Sequence, residues 1–144
     1  MNRKLLLAGG MLNLLLATFK IGMPYLFHWK EAMGSGEAFM WSTVYAENLG
    51  ISLLLLFFAY MSIIQWKELL ETGLGRTIMF SIATVWVFRS SAEIFIYKIG
   101  EDGTWWRVCM FLGAALLYLL PFTRVTWSRG AISKIWSQRK EYHE

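Results

Sequence analysis

Four apolar stretches dominate the chain: Leu5–Phe27, Phe39–Gln65, Thr77–Tyr97 and Trp105–Phe122. About 20 residues at ~1.5 Å each cross a ~30 Å hydrocarbon core, and all four come close to or exceed that length. A chain inside a bilayer must satisfy its backbone polar groups internally, which restricts it to helices or a closed barrel. Continuous apolar runs of this length read as helices. The expected fold is therefore an all-α membrane protein.

Composition agrees. Of 144 residues, 56% are apolar and 17% aromatic, with a mean hydropathy of +0.43. A soluble domain has about 45–50% apolar residues, and surplus aromatic rings suit membrane interfaces. The single cysteine, Cys109, excludes an internal disulfide and any cysteine-based metal cluster. Two histidines, His28 and His143, make a multi-histidine zinc or haem site within one chain unexpected. The sequence lacks a phosphate loop, a His-Glu-x-x-His pair, a nucleophile elbow and a paired-cysteine motif. Neither metal nor cofactor is expected, and an enzyme is disfavoured. The formal charge of +4 is gathered mostly at one end of the chain. With no soluble basic domain, a nucleic-acid partner is not expected.

The connectors are short and rich in turn formers. Gly34-Ser35-Gly36 lies in the first, Gly73 and Gly75 suit a helix stop in the second, and Gly100-Glu101-Asp102-Gly103 marks the third. Short connectors favour antiparallel neighbours, so an up-down-up-down four-helix bundle is predicted. The first stretch resembles a signal peptide in its basic start. It is too long for one, and Ala17-Thr18-Phe19-Lys20 offers no small-x-small cleavage site, so a retained helix is expected. With this topology nine Lys and Arg flank one membrane face and three the other (Lys30, Lys98 and Arg107). The positive-inside rule then sets both termini in the cytoplasm. The expected division is a transmembrane domain at 1–122 and a basic amphipathic cytoplasmic tail at 123–144. Ile132, Ile135 and Trp136 share a helical face in that tail among Arg129, Lys134, Arg139 and Lys140. The tail is expected to lie on anionic lipid, or to act only as a topology anchor.

Charges inside the apolar stretches give the candidate site. Counting from the helix ends sets Lys20 and Glu47 about 10 Å below the outer surface of the core, Arg89 about 12 Å and Glu93 about 6 Å. Two bases and two acids on three helices thus share one level. An ionised side chain near the bilayer centre costs roughly 2.5–3.5 kcal/mol. These four are expected to turn inward and pair, or to line a cavity. Arg89 and Glu93 are four apart and share a helical face. Asn48, Trp86 and Ser90 lie beside the charges, and Asn13 sits two turns deeper than Lys20. Pro24 lacks an N–H, so the Lys20 carbonyl loses its helical donor and becomes a free acceptor at the same depth. His28 sits at the outer mouth, either as a proton shuttle or as an interfacial residue beside Trp29. Trp105-Trp106-Arg107 reads as an interfacial anchor, and Gly113-Ala114-Ala115 as a close helix contact within or between chains.

Three features carry a family resemblance: Phe19-Lys20-Ile21-Gly22 toward the end of the first stretch, Glu47-Asn48-Leu49-Gly50 opening the second, and Leu74-Gly75-Arg76 before the third. Across roughly Leu5 to Tyr97 the layout resembles the small bacterial four-helix membrane proteins of the DoxX-like group. Arg89 with Glu93 falls outside that group's pattern. The resemblance implies a multi-pass protein of the bacterial inner membrane and allows an accessory role in quinone-linked redox complexes. Three functions remain open. One is a non-enzymatic protein whose outward-facing polar pocket binds a small amphipathic ligand or a partner helix. The second is a proton-coupled transporter using Glu47 or Glu93. The third is a quinone-interacting subunit with an aromatic slot at Trp41, Tyr45 and Trp86. A homo-oligomer or a membrane-complex partner is compatible with each.

Overall fold

The computed structural model describes residues 2–32, 38–96 and 105–141, with side chains at all of these except 30, 32, 38–41, 96 and 128–141. The turns expected at Gly34–Gly36 and Gly100–Gly103, the side chains of Lys30 and Trp41, and the apolar face expected at Ile132, Ile135 and Trp136 lie outside that description. The described residues are helical: α1 (Asn2–Leu26), α2 (Trp29–Ala32), α3 (Ala38–Ile63), α4 (Trp66–Glu71), α5 (Gly73–Ile96) and α6 (Trp105–Glu141). Four of these are long and apolar enough to span a membrane, over Asn2–Leu26, Ser42–Ile63, Gly73–Phe95 and Trp105–Trp127. By length and composition the chain is a multi-pass membrane protein.

Burial supports that reading. Asn13, Asn48, Ser52, Ser62, Ser90 and Glu93 are buried, whereas Met11, Leu15, Leu53, Phe88 and Phe95 are exposed. Water-soluble folds do the reverse with large apolar side chains. Hydroxyls inside the spans donate back to their own helix: Ser52 to the Asn48 carbonyl at 2.7 Å, Ser62 to Phe58 at 2.7 Å and Thr84 to Phe80 at 2.9 Å. This satisfies the O–H without water.

The helices form two compact units, residues 7–65 and residues 1–6 with 66–144. In the first, α1 and α3 run antiparallel. Asn48 in the first half of α3 bonds Lys20 in the second half of α1, and Gly10 in the first half of α1 meets Ser62 and Ile63 at the end of α3. A Cβ on Gly10 would stand 2.6 Å from Ile63 Cγ1 and 3.0 Å from Ser62 Cβ, so this crossing requires glycine. His28 ends the α1 turn with φ of 44°, a left-handed conformation that few non-glycine residues adopt.

In the second unit α4 precedes the α5–α6 hairpin. A helix does stop beside these glycines, since α4 ends at Glu71, but Gly73 and Gly75 themselves lie in the first turn of the next helix, α5. The reason is Thr72, whose hydroxyl accepts the Gly75 N–H at 2.8 Å and caps the new helix. Gly75 is also required by space, because an added Cβ would run into the Glu68 carbonyl and the Leu69 Cα of α4. Contacts of Phe80 with Phe122, Trp86 with Phe111 and Ser90 with Val108 set α5 antiparallel to α6. Ala114 and Ala115 of the small trio are buried, while a Cβ on Gly113 would meet nothing. Arg3 lies over the Trp66 ring at 4.7 Å. The helix that holds the fourth apolar stretch does not end with it at Phe122: α6 continues through the buried Pro121 and runs for 37 residues.

Candidate functional site

The predicted site residues fall into two clusters, one in each unit. In the 7–65 unit the organising feature is Pro24. It sits inside α1 and removes the N–H that would serve the Lys20 carbonyl. Asn48 of α3 supplies a replacement, its Nδ2 donating to that carbonyl at 2.8 Å. Since Nδ2 is committed to an acceptor, the other amide atom must be the oxygen. Asn48 Oδ1 is buried and accepts from no described group. Burying an acceptor without a donor costs about 1–3 kcal/mol.

Asn48 also lines an open pocket of about 660 Å³. Ile21, Pro24 and Tyr25 of α1 form one wall, and Tyr45, Leu49 and Ser52 of α3 the other. His28 and Glu31 stand at the end where α1 gives way to α2. Their side chains are exposed, with Nδ1 and Oε2 4.0 Å apart. Trp29 packs edge-on against Tyr45 at 5.7 Å between centroids. The walls are mainly apolar and the polar groups few, which is the usual make-up of a small-molecule site. Lys20 is half-buried and has interactions of its own, whereas Glu47 is exposed on α3. Of the residues singled out in the 7–65 unit, then, Asn48 and His28 line this pocket, and Lys20 and Glu47 do not.

In the second unit Glu93 is the centre. Its carboxylate is 1% exposed. Arg89 Nη2 lies 2.6 Å from Oε1, and Arg107 Nε approaches Oε2 at 3.5 Å. These are charge contacts without the alignment of directed hydrogen bonds. The Arg89 guanidinium lies over Phe111 at 5.1 Å, and Trp86 stacks on that same ring at 5.6 Å and 22°. Trp86 Nε1 is buried and donates to no described group. Ser90 reaches across to the Val108 carbonyl at 3.5 Å. The four-residue spacing disclosed the Arg89–Glu93 pair. Arg107 reads in sequence as part of an interfacial anchor that could still reach the outer mouth; its pairing with Glu93 is not read there, although a hairpin returns the turn after the connector to the level of Glu93. Among the described residues no group of His, Cys, Asp and Glu could hold a metal ion.

No protein-family model, curated protein or solved structure matches the chain.

Proposed function

We propose that this is a non-enzymatic protein of the bacterial inner membrane, an up-down-up-down bundle with both termini cytoplasmic, whose pocket in the 7–65 unit takes a small amphipathic ligand from the outer leaflet. One observation carries the reading: an apolar cleft of about 660 Å³ whose wall includes a buried amide with an unused acceptor. Apolar walls at Ile21 and Leu49 would receive a hydrocarbon body. Asn48, Ser52, His28 and Glu31 would receive a polar head. The nine-to-three distribution of Lys and Arg supports the orientation, which sets His28 and Glu31 at the periplasmic end. The likeness to the DoxX-like group fits the same location.

A photoactivatable long-chain alcohol tests the proposal on protein in lipid nanodiscs. Labelling should concentrate on peptides carrying Tyr25, Tyr45 and Leu49, fall when unlabelled dodecanol is added, and disappear in Leu49→Trp, which fills the cleft. Label spread evenly over the lipid-facing leucines, indifferent to Leu49→Trp, would refute ligand binding here. Efficient disulfide crosslinking between two copies bearing Leu49→Cys would instead assign the cleft to a partner helix.

A further inference from the structure

The pocket of the 7–65 unit has a sign as well as a shape. Building on the ligand site proposed above, we infer that the head of the ligand is a cation, an alkylammonium, and that Glu31 recognises its charge.

Hydrogen-bonding capacity comes first. The Ser52 hydroxyl spends its only proton on the Asn48 carbonyl at 2.7 Å, so its oxygen has only lone pairs left to offer. Asn48 turns Nδ2 to the Lys20 carbonyl, and its Oδ1 accepts from no described group. Glu31 contributes a carboxylate, which when ionised is an acceptor alone. The hydroxyls of Tyr25 and Tyr45 and the ring of His28 can act in either sense. The lining therefore offers more acceptors than donors. An ammonium head brings N–H donors to that surplus, whereas an ionised carboxylate or sulfonate brings none.

Charge is the second step. With His28 neutral, Glu31 is the one formally charged residue among the described residues that line the cleft. The described lining thus carries one net negative charge. Lys20 and Glu47 lie outside it and are opposite in sign. The Lys30 side chain lies outside the described residues. Asn48 Oδ1 adds to the same sign without being touched, because a buried carbonyl oxygen with no donor projects negative potential through a low-dielectric wall.

Aromatic rings supply the third step. Tyr25 and Tyr45 line the cleft from α1 and α3, and Tyr25 is 81% exposed, so its ring is open to a ligand. The face of such a ring is electron-rich and attracts a cation within about 6 Å of its centre. Trp29 packs against Tyr45 and steadies it. The Glu31 side chain is 83% exposed and stands 4.0 Å from His28 Nδ1, at the end of the cleft where α1 gives way to α2. A head beside Glu31 leaves a hydrocarbon tail to run along Ile21 and Leu49.

The test uses the photoactivatable long-chain alcohol in phosphatidylcholine nanodiscs, whose lipid has no net charge. At about pH 7 an alkylamine is protonated, as a lysine side chain is. Dodecylamine, dodecanol and dodecylsulfonate compete separately, each at equal concentration within the lipid, so that partitioning does not set the order. Dodecylamine should displace the label from the Tyr25 and Tyr45 peptides about three-fold more effectively than dodecanol, the scale of one exposed charge pair. Dodecylsulfonate should be the weakest. Glu31→Gln should bring the amine close to the alcohol, and Glu31→Lys should place the sulfonate first. Because Glu31 is exposed, both variants leave the packed interior unchanged. Equal displacement by all three in the wild type would overturn the cationic head while leaving the cleft a ligand site. An amine preference that survives in both variants would overturn recognition by Glu31. If none of the three displaces the label, the cleft is not a ligand site and the cationic head falls with it.

Discussion

At the scale of single residues, Pro24 and Asn48 act as one feature divided between two helices. Proline creates a need for a donor and the amide meets it 24 positions later in the chain, at 2.8 Å from the Lys20 carbonyl. Removing the amide alone should be costly, because the part-buried Lys20 carbonyl would lose the donor that replaces its helical one. Removing both should cost less. In Pro24→Ala the helix regains the N–H that serves Lys20, so Asn48→Leu should destabilise that background less than it does the wild type. The coupling should be about 0.6 kcal/mol, with about 1.7 kcal/mol as a ceiling for polar contacts between membrane helices. Reversible unfolding of the four proteins in mixed micelles measures it, and additivity would show that the two positions are independent. Half of this was legible in sequence. A proline inside a long apolar run announces a free carbonyl, but the donor comes from another segment and only the packing reveals which amide arrives.

At the scale of the element, the passage from α4 into α5 is the most constrained. Thr72 caps the helix from one side, and α4 backbone presses on Gly75 from the other. Gly75→Ala should therefore destabilise the protein although alanine is the better helix former, by more than the ~1 kcal/mol that its higher propensity would contribute. Gly73→Ala, whose Cβ would meet only Arg76 Nη2 at 3.8 Å, should be tolerated. Comparing the two melting curves isolates the backbone contact from propensity, and equal behaviour would contradict the packing described. Glycine in a connector reads naturally as an ending. Here it permits a beginning, because the steric demand comes from a short helix, Trp66–Glu71, too brief to leave a periodic signature. The long helices were legible because an apolar run has only one way to satisfy its backbone in lipid. The end of α6 was not, since a drop in hydropathy marks where a helix leaves the membrane rather than where it stops.

For the whole molecule, the charges give the strongest lesson. Counting along the sequence predicts an inward-facing set of four ionisable residues, and it does recover Arg89 with Glu93. It does not recover which side of α3 Glu47 occupies, because a nearly uniform apolar helix offers little periodicity from which to read its facing. Orientation is testable directly. In a Cys109→Ser background, a cysteine at Glu31 should react with a membrane-impermeant maleimide applied to intact cells, while cysteines at Asn2 and Glu71 should react only after the membrane is opened. Labelling of Asn2→Cys in intact cells would reverse the proposed topology.

The unbroken course of α6 carries a mechanical consequence. A straight helix of 37 residues is about 55 Å long at ~1.5 Å per residue, nearly twice the thickness of the hydrocarbon layer. Pivoted at its Trp105 end, such a rod would convert a tilt of about 5° into a sweep of about 5 Å at the far tip. Pro121 is the one proline in that length, so a kink there would divide the rod into a longer arm beginning at Trp105 and a shorter one ending at Glu141.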